Sequence, residues 1–420
     1  MNRKISIILF ASLLINIVSN AQTFRHPYSY YGLGELQKTT FIDQSSMGGL
    51  SIAYNNGLSY TPSNPASYSF NEFSTFNLAL SGKIQNLSQL DKSYTTTFMD
   101  FGYFSLAFPI SKKAGIGGSF GLMPVSKIGY KDETTFFEEV DSFDYTETYE
   151  LSGGFSKFYL GASFLLWEKL SIGANVYYLF GNTEENHFLN FDDAKYNSVI
   201  EYTQKNYYKL MYDFGMQFST EIAEDYKLTL GAVFSQNDEL SAREYTIIQT
   251  YEHGIGGYKD SIETNTEGKT GIELPLSYGF GFMIDKKYNW KFGVDYSFSK
   301  WSSFTGLENY FKLNDQWEII AGGEYTPDYQ DISNYFKRIN YRLGIKHSQS
   351  YLNVENSAFS KSSISLGAGF PLRRSISRLN FGLEFGKISS NKDVLINENY
   401  INIFIGFRLN DVWFQKSKIN

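Results

Sequence analysis

The chain has 420 residues, 36 glycines, no cysteine, 18% aromatic and only 19% charged residues, with a formal net charge of -7. The absence of cysteine excludes a disulfide scaffold, a thiolate-held zinc or iron–sulfur site and thiol chemistry. The acidic balance argues against a nucleic-acid partner, and His26, His187, His253 and His347 are scattered without metal spacing, so no metal or other cofactor is expected.

The first element reads as an export signal over residues 1–21. Arg3 and Lys4 form the positive start, Ile5 to Ile15 the apolar stretch, and Ser19-Asn20-Ala21 supplies small residues that place the cut before Gln22. No cysteine follows the cut, so a lipoprotein is not expected. No later apolar run reaches the roughly 18 residues of a membrane helix. The exported chain is then either soluble or a barrel.

Residues 22–70 show no two-residue alternation. They contain Tyr28-Ser29-Tyr30-Tyr31-Gly32-Leu33-Gly34-Glu35-Leu36, then Met47-Gly48-Gly49-Leu50-Ser51-Ile52-Ala53-Tyr54, then Asn64-Pro65-Ala66-Ser67. A segment of this size with no core of its own must be disordered or packed against something. Its glycines and small residues predict a plug inside a barrel. Asn64 can cap a turn and Pro65 fixes φ there, so this stretch also reads as a plain entry turn into the first strand.

From about Phe73 onward, apolar residues alternate with polar ones or glycine. Phe292, Val294, Tyr296 and Phe298 alternate with Gly293, Asp295, Ser297 and Ser299; Leu379, Phe381, Leu383 and Phe385 alternate with Asn380, Gly382, Glu384 and Gly386. Successive strand side chains point to opposite faces, so each segment has one greasy face and one polar or glycine face. The segments are longer than soluble strands, and aromatic residues gather at their ends as in membrane girdles. The pattern predicts about fourteen strands, starting near residues 73, 95, 114, 157, 169, 206, 226, 271, 289, 316, 337, 360, 377 and 397. Short links such as Ser111-Lys112-Lys113 and Asp285-Lys286-Lys287 alternate with long ones expected at about 129–155, 183–205, 246–270 and 302–315. The link Pro327 to Phe336 is the exception, moderate where a short turn is expected. The fold class predicted is all-β: a transmembrane antiparallel barrel over residues 71–414, with an N-terminal lumenal plug over 22–70 and a periplasmic tail over 415–420.

Within this barrel, Pro124 sits in the third strand and marks a bulge or kink, because proline cannot donate a ladder hydrogen bond. The inward positions carry Asn175, Asp213, Asp295, Glu324, Arg342, Lys346, Glu384 and Arg408, as a wet pore lining or as ion pairs that hold a plug. Arg408 has Glu384 as its candidate partner. The outer loops are acidic and aromatic (Asp132, Glu133, Glu138, Glu139, Asp141, Asp144; Phe136, Phe137, Phe143), which suits solvated surface, a ligand funnel or a docking face. No nucleophile motif occurs, and an enzyme is not expected. His187 and His253, in the outer loops, leave a rim hydrolase as the remote alternative.

The plug-like segment, the Asn64-Pro65-Ala66 motif and about fourteen following strands together resemble the FadL family of hydrophobic-compound channels. The Tyr30-Tyr31-Gly32-Leu33-Gly34-Glu35-Leu36 stretch is similar to FadL-like proteins of bacteria that run type IX secretion. The resemblance implies an outer-membrane location, passive uptake of hydrophobic or amphipathic small molecules past a plug holding Tyr30, Tyr31, Gly32, Asn64, Pro65 and Ala66, and lateral exit through a kink at Pro124. The alternative it leaves is a non-transport barrel that joins an outer-membrane secretion or assembly complex as subunit or anchor. Outer-membrane lipid and the barrel-insertion machinery are partners in either case. On this reading Phe407 and Leu409 face lipid, Trp413 and Phe414 sit at the interface, and Arg408 points inward. Deleting residues 415–420 is expected to leave outer-membrane levels unchanged and Phe407→Asp to abolish insertion; immunoblots of membrane fractions read both.

Overall fold

The computed structural model describes residues 26–413 apart from Thr39, 139–142, Ala194, 252–257, 305–312 and Asp393. The expected export signal, the 415–420 tail and Phe414 lie outside the described residues. Fourteen antiparallel strands form the wall. They are β1 Ser74–Gln89, β2 Lys92–Ser111, β3 Ile116–Glu138, β4 Phe143–Leu166, β5 Leu170–Phe191 and β6 Ser198–Ala223. Then come β7 in two segments (Tyr226–Ser235 and Asp238–Tyr251), β8 in two segments (Tyr258–Leu274 and Ser277–Lys286), β9 Trp290–Ser299 and β10 Gln316–Tyr325. The last are β11 Asn340–Val354, β12 Ser357–Pro371, β13 Arg378–Ser390 and β14 Asn397–Asp411. β14 pairs back onto β1 from Asp411↔Ser74 to Asn397↔Ser88, which closes the sheet. Closure satisfies the backbone groups that lipid cannot.

The alternation is inside-out relative to a soluble core. Phe292, Val294, Tyr296, Leu343, Ile345, Leu383, Phe385, Ile403, Ile405, Phe407 and Leu409 are all exposed on the outer face. Arg408 and Asn380, on the opposite parity, are buried. Trp413 is exposed just past the end of β14. The end of the barrel that carries Ser74 and Asp411 has the short turns and is the periplasmic end by that criterion.

Three of the four expected long outer loops are strand instead. β3 and β4 run as a ribbon up to Glu138↔Phe143, β5 and β6 pair up to Leu189↔Val199, and the outer segments of β7 and β8 pair from Leu274↔Asp238 to Tyr258↔Tyr251. These ribbons run beyond the outer apolar belt: 131–137 and 263–266 are exposed, while Leu240 and Ile272 of the β7–β8 ribbon are buried. A strand beyond the lipid is not held to a greasy outer face, so the pattern fades while the ladder continues. Most of the expected 302–315 link lies outside the described residues.

The two halves of β7 and β8 bend together. β7 is broken at Gln236-Asn237 and β8 at Pro275-Leu276, and the paired ends are Ser277↔Ser235 below and Leu274↔Asp238 above. Pro275 has no N–H for the ladder, so the break falls where the ladder is already interrupted.

The wall is also incomplete between β2 and β3. These strands pair only from Phe104↔Leu122 to Ser111↔Ile116, and above Leu122 they diverge. On the other side of β3 the register slips between Pro124↔Ser156 and Ser126↔Phe155, which leaves Val125 as the extra residue of a bulge beside Pro124. The bulge turns β3 away from β2.

The outward parity of Leu366, near the middle of β12, gives a direct check. Leu366→Arg is expected to destabilise the barrel by about 2–4 kcal/mol, read as a lower urea midpoint in detergent-free vesicles. Ser365→Ala, on the inward side of the same strand, serves as the control.

Candidate functional site

The described residues that precede β1 pack against the inward face of the wall. The segment starts under the outer mouth, where His26 Nδ1 accepts from Tyr28 N at 3.0 Å and caps the 3-10 turn Pro27–Tyr30. His26 Nε2 is 3.3 Å from Glu398 Oε2; burial holds the imidazole below its ordinary range although Glu398 pulls the other way. The Tyr30 ring packs 5.5 Å from Tyr130 and 5.8 Å from Tyr149, and Tyr31 sits edge-on to both Tyr28 and Tyr30. Gly32 takes φ +62 with the Tyr351 ring against it, a place a Cβ could not occupy without strain. The Tyr351 hydroxyl donates to the Gly34 carbonyl.

The chain then becomes part of the wall. Glu35 and Leu36 pair antiparallel with Lys127 and Ser126 of β3, and Gln37 N donates to Val125 O at 2.8 Å. This two-residue strand covers the β3 edge that β2 has left. Lys127 pairs with Asp100 of β2 across the same divergence.

Deeper in the lumen, a single helical turn, Ile42–Ser45, carries Asp43. Asp43 Oδ2 accepts from Arg408 at 2.7 Å, and from the Tyr54 and Ser59 hydroxyls at 3.0 Å each. The charge on Arg408 is thus met by the plug and not by Glu384. The register explains the correction: Arg408 lies opposite Arg378 and Glu384 opposite Asn402, six residues up the ladder. Glu384 instead accepts from Lys346 at 2.7 Å, Tyr400 at 3.0 Å and Asn402 at 2.9 Å. Asp295 receives the backbone N–H groups of Ser51 and Ile52 at 2.6 and 2.9 Å. Glu324 holds Arg342 at 2.6 Å, and Arg342 also donates to Asn380.

Asn64, Pro65 and Ala66 occupy the far end of this path. Asn64 Oδ1 accepts from Ala66 N at 3.1 Å and caps the six-residue 3-10 helix Pro65–Phe70, with Pro65 in its first position. Asn64 Nδ2 donates to Ile52 O at 2.7 Å. The wall makes room with glycine: a Cβ on Gly215 would strike Asn64, on Gly173 Pro65, and on Gly231 the Ile52 carbonyl.

The expected candidates therefore fall in three places. Tyr30, Tyr31 and Gly32 lie at the outer mouth, Asn64 to Ala66 at the inner end, and Pro124 in the wall beside the divergence. Asp295, Glu324, Arg342, Glu384 and Arg408 are all buried in the interior. Sequence reasoning missed the plug's own charges. Within 22–70 the acids are only Glu35 and Asp43, and both pair with the wall, Glu35 with Lys83 at 2.6 Å; Lys38 pairs with Glu318 at 2.6 Å. That scarcity of charge was the available signal.

Space remains between plug and wall. A cavity of about 450 Å³ runs beside Glu35 and Lys38 and reaches Gly102 and Pro124 at the divergence. Its lining includes Lys83, Asp295, Glu318, Lys346 and Glu384. The outer half of the lumen holds an apolar cluster of Leu33, Ile128, Phe155, Leu179, Tyr207, Met211, Leu240, Ile272, Trp301 and Tyr351. In the outer ribbons His187 pairs with Glu147 at 2.6 Å and sits edge-on to Tyr149; Glu139, Asp141 and His253 lie outside the described residues.

Among solved structures the fold is similar to the toluene transporter TodX of P. putida, at 13% identity and TM-score 0.59, over 90% of this chain and 100% of that one. A Pseudomonas aeruginosa FadL homologue matches at 11% identity and TM-score 0.59, over 89% and 98%. The monoaromatic hydrocarbon channel CymD matches at 14% and 0.56, over 89% and 98%. At these identities the likeness establishes the FadL-type barrel and no more. No curated protein matches the sequence. The BamG family profile covers residues 1–420, the whole length, and the chain belongs to the BamG family.

Proposed function

We propose that this protein is a sealed outer-membrane barrel that serves as a subunit or anchor of an outer-membrane protein secretion or assembly complex. The observation that carries the reading is the bracing of the plug against the wall. Each charged side chain described in the plug is paired to the wall, and the outer half holds the apolar cluster around Leu179 and Trp301. A conduit for greasy molecules needs a continuous apolar path. The cavity beside this plug instead sets buried charges (Lys83, Asp295, Lys346 and Glu384) among apolar residues such as Ile42, Ile320 and Phe404, so its apolar surface is interrupted. A plug held in this way lends stiffness to a platform and gains nothing as a gate. The family name fits an assembly role. Export by residues 1–21 and the plug boundary near residue 70 belong to the same proposal.

One observation favours the second reading, passive uptake of hydrophobic or amphipathic small molecules. The β2–β3 divergence beside Pro124 meets the cavity, and the similar structures include channels for monoaromatic hydrocarbons. Lateral exit at that point would require the Glu35–Leu36 strand to leave β3.

Planar bilayers and gentle solubilisation separate the two. The sealed reading expects no steady conductance from the full chain, a pore on deletion of residues 22–60, and a stoichiometric complex with other outer-membrane proteins from native membranes. Saturable binding of a fluorescent fatty acid by a barrel that purifies alone would overturn it.

The Asp43–Arg408 pair tests the bracing itself. Asp43→Asn leaves a buried arginine without its counter-charge, a loss of about 3–5 kcal/mol for a buried pair broken on one side. The expected readouts are a lower unfolding midpoint and protease access to the plug. Asp43→Asn with Arg408→Gln should recover much of the loss.

A further inference from the structure

The link between β10 and β11 is the long one among the periplasmic turns, and it is ordered around Asp331. That carboxylate accepts from Ser333 N and Asn334 N at 2.8 Å each, from Ser333 Oγ at 2.7 Å and from Lys337 Nζ at 2.8 Å. Asn334 Oδ1 then accepts from Phe336 N at 3.0 Å and caps the 3-10 turn Tyr335–Arg338. This polar frame holds two large apolar side chains away from the protein: Ile332 is 96% exposed and Phe336 69%. An apolar surface presented by a satisfied frame has its counterpart outside the chain.

Two hydrogen bonds anchor the link. The Tyr341 hydroxyl, on the outer face of β11, donates to Phe336 O at 3.1 Å, and the Tyr335 hydroxyl donates to Pro371 O at the end of β12 at 3.0 Å. They tie the Tyr335–Phe336 part of the link to the outer face of β11 and the end of β12, while Arg378 Nη1 donates to the Arg338 carbonyl at 3.2 Å and holds the end of the link at the barrel rim. Directly above lies an outer groove of about 500 Å³ along β10. Its outward residues Ala321 and Gly323 are small, while Phe292 on one side and Leu343 and Ile345 on the other stand proud. Cations sit at the level of the link. Lys287 lies over the Tyr288 ring and Arg338 over Tyr335, at 5.4 and 5.2 Å, and Arg373 and Arg374 are exposed in the adjoining turn.

We propose that the link and the groove above it form a phospholipid site of the periplasmic leaflet. An acyl chain lies along Ala321 and Gly323, Ile332 and Phe336 enter the leaflet, and Lys287, Arg338, Arg373 and Arg374 meet the phosphate. The occupant is lipid because the surface is continuous with the outer apolar belt and its cations are complementary to an anionic headgroup. The site stands whether the lumen is sealed or conducts, so its test is independent of the preceding reading.

The chain has no cysteine, so Ile332→Cys offers a single labelling position. With a polarity-sensitive fluorophore there, in nanodiscs of phosphatidylethanolamine and phosphatidylglycerol, the expected result is a blue shift, loss of iodide quenching and quenching by doxyl-labelled acyl chains. The same label at Thr134→Cys, exposed on the outer ribbon, stays open to iodide. Iodide quenching at 332 equal to that at 134 would overturn the proposal. Native mass spectrometry after detergent release is the second measurement. Ala321→Phe fills the groove and Arg373→Gln with Arg374→Gln removes two cations. Each is expected to lose most of the phosphatidylglycerol retained by the unmodified chain, and retention unchanged in both would overturn the site.

Discussion

A polypeptide segment enclosed in a barrel lumen has to bring its backbone close to the wall and satisfy its polar groups there, and this constraint organises the molecule. Space comes from glycine. The inward positions Gly173, Gly215, Gly231, Gly322 and Gly344 face Pro65, Asn64, Ile52 and Met47 so closely that any side chain would displace the plug. Satisfaction comes from wall side chains that reach for backbone groups: Asp295 takes the Ser51 and Ile52 N–H groups, Gln217 donates to Ile52 O and Asn175 to Pro62 O. Plug and wall therefore specify each other. A wall strand shifted by one residue would turn glycines to lipid and bulky residues into the plug, so the plug fixes register as firmly as the lipid does.

Charge adds specificity to this fit. A buried ion pair contributes little net stability over an apolar replacement, yet breaking it on one side is costly. Glu35, Lys38 and Asp43 each meet an opposite charge on a different part of the wall: Lys83 on β1, Glu318 on β10 and Arg408 on β14. Two of these contacts fall on the adjoining strands β14 and β1 and the third further round on β10, and together they fix the seating of the plug. Lys83 also bridges to Glu398, which holds His26, so the start of the segment joins the same network.

Much of the wall could be read from the sequence because lipid imposes a strict rule on each spanning strand. The starts expected near 169, 226, 289, 316, 377 and 397 fall within a residue of Leu170, Tyr226, Trp290, Gln316, Arg378 and Asn397. The rule lapses outside the membrane. β4 begins at Phe143 where alternation suggested 157, because Thr146, Thr148 and Glu150 stand in a ribbon beyond the lipid, where no greasy outer face is required. The interior was legible by parity but not by partner. Arg408 could be turned inward from its neighbours Phe407 and Leu409, whereas its mate Asp43 lies 365 residues away on a segment with no period of its own. Periodicity reports which face a side chain is on; it carries no information about what comes to meet it.

The divergence of β2 and β3 shows why a shared fold leaves function open. In a sheet crossing lipid, an uncovered strand edge strands its N–H and C=O groups at several kcal/mol each, so an edge persists only where something hydrogen-bonds to it. Here the β3 edge beside the Val125 bulge is taken by Glu35–Leu36 and Gln37, and the Lys127–Asp100 pair ties the two diverging strands together. The segment that covers the edge is continuous with the one that carries Lys38 and Asp43 into the lumen. Baring that edge would therefore strain the contact of Lys38 to β10 across the barrel and that of Asp43 to β14. The same bulge that opens a wall in one setting is, with this plug seated, a slot that the chain fills with its own strand.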